Sequence, residues 1–175
     1  MLDRLVDFLL QVIGVFRFFE VLDEYQEGVM LRLGRFRKTV GPGIHWLIPL
    51  YIDRILTHSI AIDTISLTER SITTSDGVTV LCGCTITYRV KNIKVFLLEV
   101  DGAQAALVDS AAGTLRAVIG SSRWEELSHK EGAEKAEEEL KDGIKKIARD
   151  FGIEVKRAVF SELAKARALR VAMDK

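Results

Sequence analysis

Hydrophobic and polar positions divide the chain into an apolar leading stretch, a middle that alternates with period two, and a later part with helical periodicity. Residues 1–19, MLDRLVDFLLQVIGVFRFF, are the most apolar part, and their longest uncharged run reaches from Phe8 to Phe16. Nine helical residues rise about 14 Å, roughly half of a bilayer's hydrocarbon core, so the run is short for a span. On a helical wheel Asp3, Arg4, Asp7, Gln11, Gly14 and Arg17 fall within an arc of roughly 140°, while Leu5, Phe8, Leu9, Val12, Ile13, Val15, Phe16 and Phe19 lie opposite. Leu10 and Phe18 break the pattern. The stretch predicts a membrane-associated amphipathic helix over residues 1–22, lying in the interface with those apolar side chains as its anchor. A tilted span with Arg17 reaching back to water, and a core helix of the folded domain, are the competing readings. A cleaved leader fits poorly, because Asp3 and Asp7 stand where a basic region belongs.

Period two begins where Val29, Leu31 and Leu33 alternate with Met30 and Arg32, predicting a half-buried strand that Gly34 ends. Arg35, Arg37 and Lys38 follow as a basic turn, and Gly41-Pro42-Gly43 as a loop. Ile44, Trp46, Leu47 and Ile48 then form an apolar connection beside three cations. This combination predicts a membrane-contacting loop, with Arg35, Arg37 and Lys38 drawn to anionic lipid. A cap over a small core is the alternative. Tyr51 to Leu67 reads as extended, Ser75-Asp76-Gly77 as a hairpin turn, and the run to Val90 as a strand with Val78, Val80, Cys82, Cys84, Ile86, Tyr88 and Val90 on one face.

Helical spacing takes over at Ala103–Ser121, with Leu107, Ala111, Leu115 and Val118 or Ile119 on one face, and again at Lys130–Asp150, with Ala133, Ala136, Leu140, Ile144, Ile147 and Ala148. Acid-before-base pairs four residues apart, such as Glu131 with Lys135 and Glu137 with Lys141, support the second helix. Ile153 to Phe160 alternates as a strand, and Ser161 is placed to cap a last helix. On that helix Leu163, Ala166, Leu169 and Met173 make a narrow stripe flanked by Lys165, Arg167 and Arg170, a candidate oligomerisation seam of about two heptads.

Hydrophobic residues make up 48% and charged residues 29%, a globular balance, and the formal net charge of zero argues against a nucleic-acid partner. Cys82 and Cys84 are the only cysteines, so there is no disulfide framework and a reducing compartment is expected. Side chains two apart on one strand have parallel Cα–Cβ vectors, which disfavours a bond between them. With no second ligand pair nearby, core cysteines are expected, not a metal site. His45, His58 and His129 have no ligand or catalytic spacing, phosphate loops and nucleophile elbows are missing, and Glu137-Glu138-Glu139 reads as a solvated face. No enzyme, cofactor or metal is expected.

Taken together, EYQEGVMLRLGRF at Glu24–Phe36, GPGIHWLIP at Gly41–Pro49, ITTSDGVTVLCGCTITYRV at Ile72–Val90, AAGTLRAVIG at Ala111–Gly120 and FGIEV at Phe151–Val155 resemble the SPFH or band 7 domain of stomatins, prohibitins and flotillins. The likeness covers Tyr25 to about Ser161 and is nearest to the stomatin branch. It implies an α+β fold with a mostly antiparallel sheet and packed helices, an N-terminal membrane-associated helix over 1–22, the SPFH domain over 23–160, and the start of a C-terminal helix over 161–175. It also implies a membrane-attached scaffold without turnover, whose partners are membrane lipids and its own copies in a large, ring-like homo-oligomer. A regulatory adaptor that binds a membrane protease or channel is the alternative. An unrecognised hydrolase would depend on His45 or His58.

Overall fold

Alternation in the middle of the chain does produce strands, and they close into several small sheets rather than one. The computed structural model describes residues 18–166, which form an α+β fold of two compact units, residues 18–61 with 90–101 and residues 62–89 with 102–166.

In the first unit, β1 (Phe19–Leu22) pairs antiparallel with β4 (Gly43–Trp46), Phe19 opposite Trp46 and Val21 opposite Ile44. The Leu47 N–H extends this ladder by donating to the Phe18 carbonyl at 2.7 Å. Strand β2 (Gln26–Arg32) is central in a second antiparallel sheet, between β3 (Arg35–Val40) and β5 (Asp53–Ser59). Leu22, Met30, Val40 and Leu47 bury together, with Ile55 packed against them. Residues 90–101 return to this unit with a one-turn π-helix, Val95–Glu99, whose Phe96 ring lies 4.5 Å from the His58 ring.

In the second unit, β7 (Thr79–Val90) is central between β6 (Asp63–Thr73) and β8 (Ile153–Lys165). Strands β6 and β7 are antiparallel, with a register shift between Leu67 and Arg70. The Ala166 N–H donates to the Thr79 carbonyl at 2.9 Å, and Arg89 pairs with Glu154 at 2.7 Å at the opposite end, so β8 also runs antiparallel to β7. Arg89 and Lys156 together hold the Glu154 carboxyl down to about 2. Three helices follow the hairpin in sequence: α1 (Ala103–Ser121), α2 (Trp124–Ser128) and α3 (Lys130–Asp150). Helix α1 packs on β6 and on α3, and α3 packs on β8.

The buried positions Leu107, Ala111, Leu115 and Ile119 on α1, and Ala136, Leu140, Ile144 and Ala148 on α3, are ones their spacing predicts, whereas Ala133 is half-buried and Ile147, expected on the same stripe of α3, is exposed at its edge. Val80, Cys82, Cys84, Ile86 and Tyr88, from one face of β7, are buried in the same unit. Small residues set how closely α3 can approach its neighbours. A Cβ on Gly132 would overlap the Glu126 carbonyl of α2, and one on Gly143 would come within 2.6 Å of the Thr114 methyl of α1.

Several expected boundaries move. The helix predicted over 1–22 does not reach its predicted end, because Phe19–Leu22 is strand β1; residues 1–17 lie outside the described residues. Phe19 and Val21 alternate with Glu20 and Leu22, and β4 supplies the backbone partners that a helix would have supplied internally. Ile44 to Trp46 is likewise strand and not loop. The extended run from Tyr51 is two strands, β5 and β6, in different sheets. The helix expected from Ser161 does not begin there, since β8 continues to Lys165. Continued pairing along β7 outweighs the N-cap preference of a serine.

Candidate membrane-contacting surface

Successive side chains of a strand point to opposite faces, so the β1–β4 register collects Phe19, Val21, Ile44 and Trp46 on one face of a two-stranded ribbon. These four are 55%, 58%, 66% and 77% exposed. The Phe19 and Trp46 rings meet edge-on, centroids 6.3 Å apart at 67°. The opposite face is committed to the fold: Leu22 is buried in the unit's core, and the His45 Nε2 lies 2.7 Å from the Gly41 carbonyl. Phe18 and Ile48 are exposed at one end of the ladder, beyond the Phe19–Trp46 pair. Such a contiguous apolar face is rare on a monomeric soluble protein and marks a contact surface.

A partly buried ion pair, with Asp53 enclosed and Arg32 one-third exposed, fixes the chain just after this face. Arg32 donates through Nε to Asp53 Oδ1 at 2.7 Å and through Nη2 to Oδ2 at 2.9 Å. The same Oδ2 accepts the Ile48 N–H at 3.0 Å, and the Asp53 N–H returns to the Ile48 carbonyl at 3.3 Å. The Arg32 guanidinium holds the Asp53 carboxyl below the usual carboxylate range, against the opposing effect of burial and with further help from the Ile48 N–H and Arg37.

Of the loop residues expected to meet lipid, Ile44, Trp46 and Ile48 are exposed, while Leu47 is turned inward into the core. Its placement is a correction with a simple cause: in β4 and its extension, neighbouring residues face opposite ways, so Leu47 cannot share the face of Trp46. Arg35, Arg37 and Lys38 are exposed on β3, which is a strand and not a turn. Phe19 lies on β1, and the anchor positions Leu5, Phe8, Leu9, Val12, Ile13, Val15 and Phe16 fall outside the described residues. In the seam, Leu163 is half-buried near the end of β8 and Ala166 is tied to Thr79, so no helical stripe starts there; Leu169 and Met173 lie outside the described residues.

Val21 and the Arg32–Asp53 clamp were not predicted. The only local signal for Val21 is that Glu20 separates it from Phe19, and a helix predicted over 1–22 takes in these same residues. The clamp joins residues 21 apart and leaves no local signature.

His45 and His58 belong to the first unit, and His129 precedes α3 in the second. Burial pushes the Cys82 and Cys84 thiols up to about 11 and 12, as expected for core positions and unlike nucleophiles. Among the described residues, no cluster of His, Cys, Asp or Glu could hold a metal, and no helix is long and apolar enough to cross a membrane. One carboxylate of the acidic run is not simply solvated, since Glu137 accepts the Phe160 N–H at 2.9 Å and ties α3 to β8.

With the fold and this surface described, the chain belongs to the SPFH domain / band 7 family, whose model matches residues 20–175. It is similar to an uncharacterized protein of Archaeoglobus fulgidus, 31% identical over 61% of this chain and 43% of that protein. It is also similar to stomatin-1 of Caenorhabditis elegans, 28% identical over 86% of this chain and 45% of stomatin-1. The HflK protein of Vibrio parahaemolyticus is 32% identical over 63% of this chain and 27% of its own length. The matched region is thus less than half of each of these three relatives.

Proposed function

We propose that the protein is a membrane-attached SPFH scaffold that self-associates into a large assembly and organises a patch of membrane with its proteins. The observation that carries this reading is the exposed β1–β4 face, where Phe19, Val21, Ile44 and Trp46 have no role in the core. Strand β1 follows directly on the apolar residues 1–17, so the Phe19 and Val21 half of the face is next to the leading segment in sequence, while β4 brings in Ile44 and Trp46 from further along the chain. Full burial of a Leu or Phe side chain is worth about 1.5–3 kcal/mol, so the leading segment supplies attachment and the face sets how the domain meets the surface. Arg35, Arg37 and Lys38 supply attraction to anionic headgroups, on the order of 1 kcal/mol each when close to the surface.

Two measurements on the full chain test this: flotation with anionic vesicles, and particle size after extraction in mild detergent. Vesicle-bound protein that is extracted as large homomeric particles supports the scaffold. A chain that stays with the soluble fraction contradicts membrane attachment. A monomer that is recovered only together with a different protein replaces the scaffold by a regulatory adaptor.

A further inference from the structure

Two turns of the first unit expose bulky apolar side chains on left-handed backbone. Leu33, at φ 51°, opens the turn between β2 and β3, and Leu50 and Tyr51, at φ 64° and 59°, are adjacent in the connection from β4 to β5. Their exposures are 75%, 58% and 74%. The Leu33 N–H donates to the Ile52 carbonyl at 2.8 Å, so the two turns sit side by side. Left-handed backbone is strained for residues with a large side chain, and glycine or asparagine would relieve it. The sequence nevertheless carries Leu, Leu and Tyr there, and none of them serves the core. The Arg32–Asp53 ion pair closes the base of both turns, immediately before Leu33 and two residues after Tyr51.

Charge around the tip has one sign. Residues 31–38 and 48–54 contain five cations and a single carboxylate, Asp53. That carboxylate is bound by Arg32, which leaves Arg35, Arg37, Lys38 and Arg54 exposed beside the apolar side chains. Apolar tips ringed by cations match an anionic bilayer surface, where Leu enters the acyl region, tyrosine lies at headgroup depth and arginine meets phosphate. Tyr51 follows Trp46 by five residues, so the tip lies at most about 18 Å from the β4 face.

Resting on the membrane-attached reading, the geometry points to Leu33, Leu50 and Tyr51 as a second, strain-held tip that inserts into an anionic phospholipid surface. Its binding is separable from that of the β1–β4 face, so each is probed at its own position in the full chain. Tyr51→Cys, and separately Val21→Cys, is labelled with an environment-sensitive fluorophore; the native Cys82 and Cys84 are fully buried and do not compete. Both labels shift to the blue on vesicles of phosphatidylcholine and phosphatidylserine. A shift at residue 21 without one at residue 51 overturns the tip and leaves the membrane reading standing, and no shift at either overturns both. A shift at residue 51 that follows protein concentration without vesicles makes the tip a protein contact and also overturns the inference. Replacing Leu33, Leu50 and Tyr51 by Asn, which tolerates left-handed backbone, preserves the fold and weakens vesicle binding by about ten-fold or more. Unchanged affinity of this folded variant contradicts the proposal.

Discussion

Asp53 illustrates how a single residue links fold to surface. Its side chain is 1% exposed, accepts two hydrogen bonds from Arg32 and one from the Ile48 N–H, and so fixes the chain between the exposed β4 face and the sheet. Asp53→Asn removes the charge, leaves Arg32 unpaired and should lower stability by about 1–3 kcal/mol at neutral pH. Because the folded-state pKa of Asp53 is depressed, its contribution is complete above the ordinary carboxylate pKa of about 3.9 and is lost as pH falls through the lower folded value. Denaturant unfolding of both proteins between neutral and acid pH should therefore show a gap that closes on the acid side. A gap that widens there would mean that the pair does not stabilise the ionised form. Leu47 makes the complementary point, since it has the composition of its lipid-facing neighbours and the strand's alternation turns it into the core.

At the level of elements, long periodic segments were legible and short ones were not. Leu107 through Ile119 and Ala136 through Ala148 repeat over several turns, so helical spacing alone located both buried faces, although it also counted the exposed Ile147 into that of α3. The β7 face from Val80 to Tyr88 was equally plain. Strands of four residues, as in β1 and β4, are too short for period two to be told from the flank of an amphipathic helix, and their pairing joins residues far apart in sequence. Strand β8 ran past Ser161 because its partner, β7, offered further backbone groups that no local rule reports. Helix packing gives a test with opposite signs at two glycines. Alanine normally gains about 1 kcal/mol over glycine inside a helix. Gly113 of α1 has open space around it, so Gly113→Ala should raise the melting temperature. Gly132 of α3 lies against the Glu126 carbonyl, so Gly132→Ala should lower it in spite of propensity. Equal increases in both variants would show that α2 and α3 are not held at this distance.

For the whole molecule, a net charge of zero conceals a local asymmetry. Residues 31–38 carry four cations and no carboxylate, beside a ribbon that exposes Phe19, Val21, Ile44 and Trp46. Family membership was legible because it rests on several ordered segments spread over the chain, whereas the contact surface depends on which faces of short strands point outward. Strand β8 occupies the chain to Lys165, so a helix beginning at Ser161 is not the source of the proposed self-association. The claim that the β1–β4 face meets lipid is tested most directly by Trp46 fluorescence in the full chain carrying Trp124→Phe, which leaves Trp46 as the sole tryptophan. On anionic vesicles containing brominated acyl chains, its emission should shift to the blue and be strongly quenched. Vesicle-bound protein whose Trp46 emission remains red and unquenched would contradict the account.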